Sequence, residues 1–487
     1  MRIIPSLLCD FYKTSHKAQY PEGTEKIYST WTPRMSRLDG VNEVVAYGFQ
    51  GLIKEWLLEY FNKEFFETNI EQICFEYERY IKFTLGVLSP DSSHIRDLHN
   101  LGYLPIMIMA VPEGTKIPLR VPMMTIESTH KDFAWITNYL ESFMSAQLWA
   151  MCTSATIANE YRKNLTKWAN KTVGNLDHLL FQGHDFSFRG MMGVSASYLS
   201  GSAHLLSFAG TDAIPAIMYH EAYYNANIET ELVGASISAT EHSVQCLYND
   251  EEEYFNRMHQ EIYPSGLVSI VSDGYDYWKM LKEVITESKD KIMSRDGKVV
   301  VRPDSGDPVK IVCGDKNSSE EIIRKGTVEY LWDVFGGTIS DKGYKILDSH
   351  IGVIYGDAIT IQRADEICKQ LEAKGFASSN IVFGIGSYTY QYNTRDTFGF
   401  ALKATYGIVN GEERLIFKDP KTDDGTKKSQ KGMVVVTENS YGKIYSIDEL
   451  TLKERDNFSD NLMRPIFKDG KLLVDDSLMN IRKRIRN

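Results

Sequence analysis

The residues of this chain with chemical potential are polar groups that follow short apolar runs. Asp212 closes SFAGTD, His242 lies in ATEHS and Asp273 in VSDGYD. Arg302 and Asp304 lie in VRPDSGDP, and Asp357 closes YGD. A single aspartate in such a place is most often a helix cap. Six such groups become a constellation if the fold brings them to one rim. Carboxylates there suit the vicinal hydroxyls of a sugar, and Asp304 and Asp357 are the best placed. Arginine forks suit phosphate, and Arg189, Arg302 and Arg395 are available. Gly386 and Ser387 in FGIGS offer backbone amides to a terminal phosphate. Phe186 in HDFSFRG offers a stacking face to a planar ring. Plainer readings stand beside these: FGIGS as a tight turn, Phe186 as a core residue and His242 as a hydrogen-bonded structural histidine.

The elements that must position these groups follow from pattern. KIYSTW reads as a strand, and GFQGLIKEWLLEYF as an amphipathic helix. LPIMIMAVPEGTKIP reads as strand, turn, strand. WITNYLESFMSAQLWAMCTSATIANEYRKNLTKWA reads as a long helix pair. From about residue 180 the units become strand, loop, helix: HLLSFAGTD, SISATEHS, LVSIVSDGYD, KVVVRPDSGDP, HIGVIYGDAIT and NIVFGIGS. Repeats of that kind imply a parallel sheet. Roughly six of them predict an α/β fold with an irregular TIM-like (β/α) barrel, whose polar rim lies at the strand C-terminal ends. An open doubly wound sheet is the alternative, weakened by the lack of GxGxxG after the first strand. The expected organisation is a mixed α/β segment over 1–150, a barrel over 151–394 and a basic segment over 395–487 that completes the first domain. The tail IRKRIRN reads as a solvated helix end.

Composition narrows the partners. The chain has 487 residues, 43% hydrophobic and 24% charged, with a net charge of −11. That charge argues against general nucleic-acid binding, though not against a local basic pocket for a small phosphate ligand. The six cysteines form no CxxC pair, which suits free thiols in a reducing compartment. The apolar start is short and broken by Pro5, and no run is long enough to span a membrane. A cytoplasmic protein is expected.

Taken together, HDFSFRG, SFAGTD, ATEHS, VSDGYD, RPDSGDP, YGD, FGIGS, TRD and FKDP occur here in an order that resembles the nicotinamide phosphoribosyltransferases, a branch of the type II phosphoribosyltransferase family. The resemblance runs from DFYKTSHKAQYP to MRPIFKDGK. It implies transfer of a phosphoribosyl group from 5-phosphoribosyl 1-pyrophosphate to nicotinamide, coupled to ATP and assisted by Mg²⁺, in NAD salvage. It implies that Phe186 stacks on one face of the pyridine ring and Tyr12 of a second subunit on the other. Asp212 accepts from the carboxamide, and Arg189 lies near the carboxamide and the pyrophosphate. Arg302, Asp304, Gly356 and Asp357 hold the ribose and its leaving group, and Gly386 and Ser387 hold the 5′-phosphate. Arg395, Lys403, Lys418 and Lys427 add positive charge across a homodimer interface. The resemblance further implies that His242 is the residue phosphorylated by ATP and that Asp273 orients it.

Two departures bear on these expectations. Ile385 and Ser387 stand where smaller residues are expected, so the phosphate turn is open to strain if it needs φ > 0. Ser187 and Phe188 stand where the family has Gly and Tyr. The same chemistry on nicotinate, a non-catalytic binder of a phosphorylated ligand and a barrel aldolase or isomerase are the competing readings. Asp212 disfavours the nicotinate reading, because a buried aspartate repels a carboxylate. The intact His242, Asp304, Asp357 and Arg302 set disfavours the second, and the absence of lysine from the strand-end motifs disfavours the third.

Overall fold

The computed structural model describes residues 3–422, 425 and 427–486. Asp423, Asp424 and Thr426, within the basic stretch around FKDP, lie outside the described residues. The chain divides into two compact units. One comprises Met1–Thr156, Tyr219–Ala226 and Asn393–Asn487, the other Ile157–Met218 and Asn227–Tyr392.

The first unit is built on a seven-stranded sheet of antiparallel pairs. Its order is Glu412–Leu415, Ala401–Val409, Thr24–Thr32, Met124–Ser128, Ile106–Ala110, Arg464–Lys468 and Lys471–Leu472. Strand Met124–Ser128 is buried along its whole length, and Ile106–Ala110 alternates buried with half-buried, as the two-residue period requires. The two strands read in LPIMIMAVPEGTKIP form, but not as a hairpin. Ile106–Ala110 pairs with Met124–Ser128 and Arg464–Lys468, while Lys116–Pro118 pairs with Glu43–Val45. Glu127 and Arg455 form a buried two-pronged ion pair at 3.0 and 3.3 Å.

The expected helix pair is one continuous helix, Glu141–Thr172, preceded by the single turn Ile136–Tyr139. The small polar residues that suggest a break are absorbed by it. The Thr153 and Thr156 hydroxyls donate to the carbonyls of Trp149 and Cys152, four residues back, each at 2.7 Å. The basic tail also differs from expectation. In helix Leu478–Arg486, Ile481, Arg482 and Ile485 are buried, and Arg484 donates to the Glu113 carbonyl and pairs with Asp476. The spacing of Ile481 and Ile485 puts an apolar stripe on the helix, which buries that face despite the charge run.

The second unit is a curled, half-barrel parallel sheet. Its strands are β1 (Gly183–Asp185), β2 (Gly210–Thr211), β3 (Ser238–Ala239), β4 (Ser265–Val271), β5 (Asp296–Arg302), β6 (Ile351–Tyr355) and β7 (Val382–Ile385). The order is β2-β1-β7-β6-β5-β4-β3, with parallel pairing throughout. A single parallel bridge between Gly210 and Ala235, three residues before β3, links the two edge regions. Eight full strands in a ring are not formed among the described residues. The central strands β4 and β5 are apolar runs buried at their C-terminal halves, as strands covered on both faces must be.

Candidate functional site

Polar groups gather where the β-strands of the second unit end. Asp273 follows β4 and is the centre of one cluster. Its side chain is 3% exposed. Oδ1 lies 3.0 Å from His242 Nε2, while Oδ2 accepts from the Asp304 amide at 2.9 Å and the Ser305 hydroxyl at 2.6 Å. A carboxylate only accepts, so His242 donates from Nε2 and its open nitrogen is Nδ1. The His242 side chain is 48% exposed. Asp304 also faces Arg302, whose Nε lies 3.3 Å from Oδ2. Arg302 reaches back to the Thr240 carbonyl, two residues before His242. Burial holds the Asp304 carboxyl above its usual range. The Asp273 charge adds to that, against the pull of Arg302, His242 and Arg189.

A second cluster surrounds Asp212, just past β2. Its Oδ1 accepts from His184 Nε2 at 2.8 Å and from Ser236 Oγ at 2.6 Å. Burial works to raise its pKa, but the His184 and Ser236 bonds and the Arg302 charge outweigh it, and the carboxyl ends below the usual range.

Phe186 joins the two clusters. Its ring centroid lies 4.8 Å from that of His184. Its edge rests on backbone that has no side chain: a Cβ on Gly384 would come within 2.4 Å of it, and one on Gly356 within 3.0 Å. The same Cβ on Gly356 would lie 3.3 Å from Asp304 Oδ1. Glycine at 356 and 384 is therefore what leaves room for the ring beside His184. Asp357 is exposed beside this turn, and Ala358 after it holds φ +54°. A non-glycine there is strained, and strain of that kind collects at ligand-binding turns.

Gly386 and Ser387 begin the short helix Ser387–Tyr390 directly after β7. Gly386 has φ −90°, and neither Ile385 nor Ser387 adopts a positive φ, so the anticipated strain is absent. The Ser387 side chain packs against Gly190, where a Cβ would meet its Oγ at 2.0 Å. Arg189 is exposed on the turn Phe188–Gly190. The HDFSFRG and FGIGS segments thus lie against each other, and Ser187, one of the departures noted above, is buried.

The remaining predicted residues belong to the first unit. Tyr12 is exposed, with the Lys13 ammonium 5.0 Å from its ring centre. Arg395 is exposed and pairs with Asp396 at 3.3 Å. Lys403 and Lys427 line a cavity of about 220 Å³ together with Arg34, Arg120 and Lys428. Lys403 lies 3.6 Å from Glu141, which also binds Lys13 at 2.7 Å; burial holds the Lys403 ammonium below its usual range despite that partner. Lys418 does not line the cavity, but its backbone pairs with that of Ser429, which does.

Sequence reasoning missed His184, Ser236, Arg34 and Arg120. His184 had a signal: it lies two residues before Phe186, and alternate residues of an extended segment share a face. Arg34 and Arg120 had none, since sequence-distant loops bring them to the lysines.

Residues 181–471 match the model of the nicotinate phosphoribosyltransferase family, and residues 6–79 match a nicotinamide phosphoribosyltransferase N-terminal domain. A nicotinamide phosphoribosyltransferase of Acinetobacter baylyi is 47% identical, over 99% of this chain and 97% of that protein. One from Xanthomonas campestris is 31% identical over 97% and 96%. Crystal structures of human nicotinic acid phosphoribosyltransferase and of a Pyrococcus furiosus nicotinate-nucleotide pyrophosphorylase share the fold. Each gives a TM-score of 0.58, at 12% and 14% identity, over 99% of this chain and 93% and 94% of theirs.

Proposed function

The chain belongs to the nicotinate phosphoribosyltransferase family, and on that premise we propose that it joins nicotinamide to the ribosyl carbon of 5-phosphoribosyl 1-pyrophosphate in NAD salvage. The products are nicotinamide mononucleotide and pyrophosphate. The observation that carries this reading is that two clusters meet at the Gly356 backbone: Ser236, Asp212, His184 and Phe186 on one side, and Asp304, Asp273 and His242 on the other. A flat amide, a sugar and a phosphoryl-accepting histidine all find partners across the two clusters.

Loss of pyrophosphate builds positive charge on the ribose, and the carboxylates of Asp304 and Asp357 stabilise it. The pyridine nitrogen is a neutral nucleophile, so the chain supplies positioning and charge rather than proton transfer. Phe186 stacks on the ring, Asp212 accepts from the carboxamide, and Arg189 and Arg302 take the pyrophosphate. Gly356 keeps the ribose path clear, and the Gly386 and Ser387 amides bind the 5′-phosphate. No group of three or more His, Cys, Asp or Glu side chains is arranged to hold a metal among the described residues. Asp304 and Asp357 are hard oxygen donors that would suit Mg²⁺ arriving with the pyrophosphate. Mg²⁺ held there would neutralise charge on the leaving group.

ATP phosphorylates His242 at its open nitrogen, and Asp273 holds the ring for that step. Tyr12, Arg395, Lys403, Lys418 and Lys427 serve the site of a second subunit, so the working form is a homodimer. Arg34 and Arg120 join Lys403 and Lys427 in one basic cavity. The protein acts in the cytoplasm, and no described helix is long and apolar enough to cross a membrane. The deciding experiment incubates the protein with 5-phosphoribosyl 1-pyrophosphate, Mg²⁺ and either nicotinamide or nicotinate, with and without ATP. Nicotinamide mononucleotide is the expected product. Nicotinate mononucleotide as the faster product, or none, refutes the reading.

A further inference from the structure

Asp212 is 47% exposed, yet both hydrogen bonds of its side chain within the described chain end on one oxygen. His184 Nε2 and Ser236 Oγ converge on Oδ1, and Oδ2 is left open. Because the carboxylate only accepts, both neighbours donate. The imidazole that donates is itself clamped. Its Nδ1 side lies over Gly210, where a Cβ would approach within 2.7 Å, and Phe186 packs against it at 4.8 Å. The His184 side chain is 10% exposed. Nothing in this clamp depends on a ligand. Arg302 acts on Asp212, and His184 acts on the buried His204.

We propose that His184 is the positioning residue that sets selectivity for a pyridine carboxamide over the corresponding acid, by fixing Asp212 with Oδ2 as its single outward acceptor. The inference rests on the nicotinamide reading above. A carboxamide N–H donates to Oδ2. A pyridine carboxylate instead brings two acceptors and a negative charge against it, and is repelled. Without the His184 donor, only the Ser236 bond holds Oδ1, and the Asp212 carboxyl can turn so that Oδ2 is no longer fixed outward. A carboxyl no longer held with Oδ2 outward favours the amide less, and discrimination against the acid falls.

The test compares kcat/KM for nicotinamide and nicotinate in the wild type, His184→Leu, His184→Gln and Ser236→Ala. His184→Leu lowers the nicotinamide-to-nicotinate ratio by about tenfold, the worth of one hydrogen bond to a charged group. The fall appears as a raised nicotinamide KM with kcat little changed. His184→Gln, whose side-chain N–H replaces Nε2–H, restores most of the ratio. Ser236→Ala, at an exposed position, gives a smaller fall. An unchanged ratio in His184→Leu overturns the inference, as does an equal fall in the leucine and glutamine variants. If the leucine variant does not fold, the other two decide: a ratio kept in His184→Gln and lowered in Ser236→Ala supports the inference, and any other pattern overturns it. A wild type that makes no nicotinamide mononucleotide refutes the underlying reading first, before any variant is compared, and takes this inference with it.

Discussion

Replacing Asp273 by asparagine changes one atom and should reverse the histidine it holds. In the native chain Asp273 receives three donors: His242 Nε2–H, the Asp304 amide and the Ser305 hydroxyl. Asparagine has one acceptor oxygen and one NH₂. Its oxygen best serves the side with two donors, which turns the NH₂ toward His242. Two donors then face each other unless the imidazole moves its proton from Nε2 to Nδ1. That shift removes the lone pair from the nitrogen that would take a phosphoryl group. Losing one charge-assisted hydrogen bond costs about 1.5–3 kcal/mol, or roughly 10- to 150-fold in rate. ATP hydrolysis and phosphohistidine formation should therefore fall by about two orders of magnitude. A second effect has the opposite sense. The Asp273 charge helps to keep the Asp304 pKa high. Removing that charge lets Asp304 ionise at lower pH, so the acid limb of ATP-independent nucleotide formation moves to lower pH. The assay is a pH profile of kcat/KM with and without ATP, alongside acid-labile phosphate on the protein. Phosphohistidine within about threefold of wild type, with no move of the acid limb, would falsify the reasoning.

Other changes test other joints. Asp212→Asn or Asp212→Ser should relax the preference for nicotinamide over nicotinate, and an unchanged ratio of kcat/KM for the two refutes that role. Gly190→Ala drives a methyl into Ser387; it should raise the KM for 5-phosphoribosyl 1-pyrophosphate and lower the melting temperature, and Ser387→Gly in the same chain should recover both. His204 is buried, donates from Nε2 to the Gly210 carbonyl and accepts at Nδ1 from Tyr390, and burial drives its pKa down to about 4. The unfolded chain therefore takes up this proton first, and stability falls as pH drops from about 6.5 to about 4, by roughly 3 kcal/mol at full effect. Melting curves of His204→Gln should show a shallower acid decline over that range, with His94 and His259 keeping their own shares. Arg455→Met leaves Glu127 buried without its partner and should cost about 3–5 kcal/mol, read as a drop of several degrees in melting temperature.

What the sequence disclosed depends on how much of each element is pattern and how much is contact. LVSIVSDGYD, KVVVRPDSGDP and HIGVIYGDAIT contain β4, β5 and β6 because a buried parallel strand is an apolar run closed by a polar turn. Edge strand β2 and its neighbour β1 have two and three residues, too few for any period to register. HLLSFA looks like a strand for the same reason that β5 does. It is instead the end of helix Val194–His204 and a buried loop, held by the His204 bond to Gly210. The candidate site divides along the same line. Acids and arginines at strand ends announce themselves by their place after an apolar run. His184 does not, because its importance lies in one 2.8 Å contact with a residue 28 positions away. Gly384 is visible in FGIGS only as a turn former, whereas its backbone φ is ordinary and its role is to have no Cβ beneath Phe186. A motif read for its conformational freedom is here needed for its emptiness. That distinction is physical: strain is a property of the local chain, and space is a property of what the fold brings to it.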